Sequence, residues 1–219
     1  MSIPRPMQVL LAAGAAVLIA LVGGIFLGRG MGTGLERIDN PVDVGFARDM
    51  IVHHAQAVQM SEIVHRRSPD RNVNFLAFDI MTTQQGQVGI MSGWLDLWRH
   101  DQGGGTTMAW MGKPHEGLMP GMSTRAEVEQ LNALPIPAMH EQFLRRMIRH
   151  HRGALPMASY AAKHASSPDL RRLAGNMVTG QQAEIDLMQS MLADRSLPAE
   201  PDALPHSGSA PGSHPGSHS

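Results

Sequence analysis

The chain is 219 residues long, contains no Cys, and sets 18 Lys and Arg against 19 Asp and Glu for a net charge of −1. The missing thiols exclude disulfides, iron–sulfur clusters, thiolate zinc sites and a Cys nucleophile, and the balanced charge supplies no field for gripping phosphate backbones, so no nucleic-acid partner is expected. Aromatic residues make up only 4% of the chain and period-two alternation is scarce, whereas 17 Met and 12 His offer metal donors without a thiol; the expected fold class is all-α.

The first element is an uncharged stretch from Met7 to Leu27, flanked by Arg5 and Arg29, with Gln8 its only polar side chain. About 20 apolar residues suffice to span a bilayer as a helix. No Ala-x-Ala-like site follows the stretch directly, so residues 1–34 read as an N-terminal transmembrane anchor, with a cleaved secretory signal as the alternative. Either way, the remainder is expected to be exported, to the bacterial periplasm or the extracellular face.

Residues 35–195 read as the folded domain, and its strongest feature is an internal repeat. Residues 46–95 align with 143–192 at a constant offset of 97, without a gap, and fifteen positions are identical. Among them are Phe46/Phe143, Met50/Met147, His53/His150, His54/His151, Ala57/Ala154, Met60/Met157, Gln84/Gln181 and Met91/Met188. Each copy reads as a helical hairpin, over 40–100 and 138–194. Asn40-Pro41 opens the first helix, which runs to about Arg67, and Ser68-Pro69 opens the second, which runs to about His100. In the second copy a helix over about 138–165 precedes Ser167-Pro168 and a helix to about Asp194. Two such hairpins bury their faces most simply as an antiparallel four-helix bundle. Pro156, inside the third long helix, should kink it near Arg152.

The linker between the copies, over 101–137, opens with Gly103-Gly104-Gly105 and carries Met108, Trp110, Met111, His115, Met119 and Met122. Thr124 to Glu127 spells a capping box for one short helix, which Pro135 and Pro137 should stop. Loops this long in a compact domain are functional or disordered, and this one is expected to fold over the bundle only when metal is present. From about Ser196 onward the chain is Pro, Ser, Gly and Ala with His206, His214 and His218, a composition unable to bury a core.

The chemistry concentrates on the first helix of each hairpin. Met50, His53 or His54, Ala57 and Met60 fall on one stripe at 3.6 residues per turn, as do Met147, His150 or His151, Ala154 and Met157. Gln84 and Met91, and Gln181 and Met188, share faces of the second helices. Met, His and Gln therefore converge on the interior of the bundle, where a metal site would be built. Core packing explains any single Met, and hydrogen bonding to the Gln residues or Glu184 competes as an explanation of the histidines. Four imidazoles, however, are costly to bury without partners. If a metal is bound, thioether donors select Cu(I), or Ag(I) as its mimic, over Zn(II), Mg(II) or Ca(II). Met108, Met111, His115, Met119 and Met122 form a second candidate cluster, or a hydrophobic flap over the bundle. A di-iron site would need paired Glu-x-x-His motifs, and Glu62-x-x-His65 has Ser159 and Ala162 as its repeat counterparts.

Across Met50-Ile51-Val52-His53-His54-Ala55-Gln56-Ala57-Val58-Gln59-Met60, Met147-Ile148-Arg149-His150-His151-Arg152-Gly153-Ala154-Leu155-Pro156-Met157 and Gln181-Gln182-Ala183-Glu184-Ile185-Asp186-Leu187-Met188, the chain resembles the family called domain of unknown function 305. The resemblance covers roughly residues 40–193 and includes Met119-Pro120-Gly121-Met122-Ser123 of the linker. It implies a ferritin-like helical bundle, often exported, with members that hold Cu(I) or Ag(I) through Met and His. Carried over, it implicates His53, His54, Met60, His150, His151 and Met157, with Met50, Met147, Met91 and Met188 as neighbours. It departs from internal symmetry at Pro156 and at Gln87, where the second copy has Glu184. The expectation is an exported, membrane-anchored protein that buffers Cu(I) or passes it to a transfer partner, without catalysis; a structural or signalling bundle is the alternative.

Overall fold

A computed structural model describes residues 38–195 together with 197 and 200. The apolar segment at 7–27 and the histidines of the tail lie outside the described residues. Among those described, no helix is long and apolar enough to cross a membrane, and no strand is present.

Among the described residues five α-helices follow one another: α1 (Pro41–Arg67), α2 (Arg71–Leu97), α3 (Arg125–Ala133), α4 (Ile136–His164) and α5 (Pro168–Ala193). Helix α1 starts where Asn40 Oδ1 accepts the Val42 N–H at 2.8 Å, with Pro41 in the first turn, where its missing N–H costs nothing. The start of α2 lies two residues later than Ser68-Pro69 suggested. Asp70 is its N-cap, accepting from Asn72 N and Val73 N at 2.9 and 3.1 Å, while Ser68 closes α1. The repeat explains the shift, because Asp70 and Ser167, the N-cap of α5, are 97 residues apart. The capping box of α3 forms as expected, Thr124 and Glu127 bonding reciprocally. Pro137 does not stop α3; it sits in the first turn of α4, which begins at Ile136. Exposed Pro156 lies within α4, which continues as one helix through it to His164.

Helices α1 and α2 form one hairpin and α4 and α5 the other, and the hairpins join chiefly along α1 and α4. Each turn is held by the opposite hairpin. Asp43 of α1, fully buried, accepts from Ser166 N, Ser166 Oγ and Ser167 N at 2.6, 2.9 and 2.8 Å. Its repeat counterpart, His140, meets Ser68 Oγ at 2.9 Å.

The apolar interior falls into two clusters. One holds Met50 of α1, Met91 of α2 and Met157 of α4; the other holds Met60 of α1, Met147 of α4 and Met188 of α5. Adding or subtracting 97 turns either triad into the other, so the pseudo-twofold of the sequence is also the symmetry of the core.

The linker lies over the bundle as a strap. Asp49 Oδ2 accepts both the Met108 N–H and the Trp110 indole N–H at 2.7 Å. Gln56 clamps Ser123 at both backbone groups, at 2.8 and 2.7 Å. These are contacts between groups of the chain itself, so the strap has reasons to lie on the bundle that do not involve a metal.

Candidate metal centre

Between the Met triads sits a layer of buried polar side chains. His53, His54, His150 and His151 are 0% exposed, and Gln84 and Gln181 are 2% and 5% exposed. Helical periodicity puts both members of each His doublet inward because α1 and α4 are central helices, each packed on two sides. The rings of His53 and His150 approach to 3.9 Å between centroids, across the interface of the hairpins.

Every one of the four rings uses Nε2 as its hydrogen-bonding atom. His53 donates to the Pro120 carbonyl at 3.0 Å and His150 to the His53 carbonyl at 2.9 Å. His54 donates to Gln87 Oε1 at 2.7 Å, and His151 to Glu184 Oε2 at 2.5 Å. Since carbonyls and carboxylates can only accept, these partners fix the proton on Nε2, and the neutral ring then carries its lone pair on Nδ1. All four Nδ1 atoms are buried without a hydrogen-bond partner.

Burial drives three of the rings strongly toward the neutral form. It lowers His53 to about 4 and His54 to about 3, against an ordinary 6.5, and it holds His150 well below that value, helped by the neighbouring imidazoles. Their lone pairs are thus available across the physiological range. An unsatisfied buried polar atom ordinarily costs about 1–3 kcal/mol, and such concentrated violations of polar satisfaction mark functional sites. Gln84 adds two more partnerless atoms and Gln181 one.

The strap reaches the layer directly. Pro120 supplies the acceptor for His53, and the close approach requires glycine on both sides. A Cβ on Gly153 would lie 2.8 Å from Gly121 N and closer still to the Pro120 carbonyl, and one on Gly121, whose φ is +80°, would lie 3.0 Å from His150 Cα. Met108, Met111 and Met119 are buried with Met50, Met91 and Met157, and Met122 packs at the margin of that cluster. Val128 and Leu131 of α3 cover the other triad's cluster instead. His115 stays apart: its Nε2 donates to the Leu118 carbonyl at 2.6 Å, within its own turn.

The sequence stripes therefore come together, but as two Met triads separated by a His/Gln layer rather than as one pool of donors. Among the described residues no three His, Asp or Glu side chains gather as a metal cluster. An ion held here by more than two imidazoles' worth of donors would need thioether sulfur or the amide oxygens of Gln84 and Gln181. One feature escaped the sequence: Pro120 acts through its backbone, which no residue pattern reveals. Gln84 and Gln181 lie buried in the layer, as their sharing of the Met91 and Met188 faces led one to expect.

A duplicated helical-hairpin bundle with buried imidazoles between Met triads is the class of protein that this fold and layer define. Residues 43–192 match the family described as domain of unknown function (DUF305), and the chain belongs to that family. A DUF305 protein of Streptomyces coelicolor, described as secreted, is 43% identical, with 73% of this chain and 97% of that one covered at a TM-score of 0.69. A DUF305 fragment from Deinococcus radiodurans is 35% identical over 70% and 97% of the two chains, at a TM-score of 0.60. CopM in its Cu(I)-bound form shares the fold at 23% identity and a TM-score of 0.53, over 70% of this chain and 96% of its own. An uncharacterised protein of Acanthamoeba polyphaga mimivirus is 35% identical over 57 residues; the match spans 38% of that protein's length and 26% of this chain.

Proposed function

We propose that this protein binds Cu(I) as cargo in the layer between its two Met triads and passes it on, without catalysing a reaction. The observation that carries the reading is the set of four buried Nδ1 atoms, each on a ring whose Nε2 is engaged elsewhere and none with a partner of its own. Ligating histidines ordinarily hold the far nitrogen in a hydrogen bond to a carbonyl or carboxylate, leaving the other for the ion. The donors are neutral imidazole and thioether, which suit Cu(I) or Ag(I) better than hard cations. His53, His54, His150 and His151 would supply nitrogen, and Met50, Met60, Met91, Met147, Met157 and Met188 sulfur. Met108, Met111, Met119 and Met122 would serve as further thioethers from the strap. CopM, of the same fold, has been crystallised with Cu(I), Cu(II) and Ag.

The cargo would be handled outside the cytoplasm, with the 7–27 segment acting as membrane anchor or cleaved signal; the secreted DUF305 relative supports export. Anaerobic titration of the full chain with Cu(I) against a chromophoric chelator, with Zn(II) and Fe(II) as controls, tests the reading. Retention of Cu(I) alone is expected, and it should vanish when His53, His54, His150 and His151 are all changed to Gln while helicity persists. No retention of Cu(I) by the unaltered chain would make the stripes packing alone.

A further inference from the structure

The two outer imidazoles of the layer, His54 and His151, occupy equivalent places in the repeat and use the same nitrogen, Nε2. What stands behind them differs: Gln87 at 2.7 Å and Glu184 at 2.5 Å, again positions 97 residues apart. An amide oxygen and a carboxylate oxygen accept the same N–H in the same geometry, but the carboxylate bond is charge-assisted and roughly twice as strong. A carboxylate pulling on Nε2–H raises the electron density and ligand strength of Nδ1 across the ring. Both imidazoles are fully buried and the Glu184 side chain is only 18% exposed, so solvent screens the effect weakly.

Resting on the metal reading above, we infer that positions 87 and 184 tune the two halves of the layer unequally, Glu184 making the His151 half the tighter holder of Cu(I) or Ag(I) and Gln87 leaving the His54 half the weaker and more exchangeable one. Glu184 and Gln87 act here as positioning residues through their histidines and need not touch the ion. The asymmetry gives a carrier one half that retains and one that releases.

The test uses the full chain and four forms: unaltered, Glu184→Gln, Gln87→Glu, and the double exchange. Stepwise Ag(I) and Cu(I) affinities are read by competition, and ¹⁵N shifts of the imidazole nitrogens are read without metal. Outer-shell partners of ligating His are worth about 10–100-fold in affinity, and because Gln preserves the hydrogen bond the expected effect is at the lower end. Two unequal steps are expected in the unaltered chain, and Glu184→Gln should weaken the tighter by about tenfold. Gln87→Glu should strengthen the looser one, and the double exchange should restore two unequal steps. In metal-free protein, Glu184→Gln should shift the His151 nitrogens toward the His54 values, a change that loss of fold, monitored by helicity, would not mimic. Binding that persists with both steps within twofold of the original in every variant would overturn the inference and leave the metal reading standing. Absence of binding in the unaltered chain would instead remove the metal reading, and the inference with it.

Discussion

Changing Gly153 to Ala sets two known quantities against each other. In a helix interior Gly is about 1 kcal/mol less favourable than Ala, so an unobstructed site should gain stability. At 153, however, the new Cβ would stand 2.8 Å from Gly121 N and closer to the Pro120 carbonyl, whereas non-bonded carbon contacts are comfortable at about 3.5–4 Å. The strap would have to lift by about an ångström, carrying the Pro120 oxygen away from His53 Nε2. Because His53 is 0% exposed, its N–H would lose its only acceptor in a site without water access, at about 1–3 kcal/mol, and the strap's packing would loosen as well. The difference between those two effects is a net loss of up to about 2 kcal/mol, to which the loosened strap adds, so net destabilisation is the expected outcome. Gly180→Ala, where nothing lies within 4 Å of the added methyl, should stabilise by a few tenths to about 1 kcal/mol. Urea unfolding followed by far-UV circular dichroism measures both. If Gly153→Ala stabilises as much as Gly180→Ala does, the strap is not seated on α4 and the account of the layer's acceptors fails.

Stability without metal should fall as pH drops from 6.5 toward 4 and then 3. His53 and His54 are depressed in the fold, so their contribution is present above 6.5 and is lost as the unfolded chain's histidines take up protons. Moving one ring from 6.5 to about 4 corresponds to roughly 3 kcal/mol for His53 alone, readable as a falling urea midpoint; a midpoint constant over this interval would contradict the burial of the layer. Asp49, which burial raises above its ordinary 3.8, works in the opposite sense, adding stability as pH falls through its folded value toward 3.8. Asp43→Ala should strip the α4–α5 turn of its acceptor for two backbone N–H groups and a hydroxyl, lowering stability by about 2–4 kcal/mol; a loss under 1 kcal/mol would mean that water replaces the carboxylate freely. Gln56→Ala, which frees both backbone groups of Ser123, should speed proteolytic cleavage within the strap several-fold relative to cleavage in α1 or α4, by the local-opening argument, and equal rates would show that the clamp is not what holds it.

The helices were legible because their signals are local and doubled. Asn40, Thr124 and Ser167 name their own helix starts, and the constant offset announces a duplicated hairpin before any contact is known. The error at Ser68 arose from reading one copy alone, since Ser-Pro in the first copy mimics the Ser167-Pro168 start while the true cap, Asp70, is found only by applying the offset. The donors of the layer were legible as stripes, but their division into two triads depends on how α1 and α4 cross, which periodicity does not encode. Hydrogen bonding to Gln84, Gln181 or Glu184 was the expected rival to metal binding; in the fold Glu184 does accept from His151, but the partner of His54 is Gln87, and each of these bonds occupies one ring nitrogen and leaves the other without a partner. The strap was the least legible part, because its hold on the histidines runs through the Pro120 carbonyl and through the absence of side chains at Gly121 and Gly153.

The repeat is covalent, and that changes what substitution can reach. In a symmetric pair of separate hairpins every altered codon would alter both halves, so a carboxylate behind one imidazole would entail a carboxylate behind the other, and two straps would compete for one crossing. Fused in a single chain, the copies drift independently: Gln56 can grip Ser123 where its twin Gly153 must yield to Pro120. Fusion thus turns a redundant pair into two separately adjustable parts, with the linker itself as the first source of difference between them.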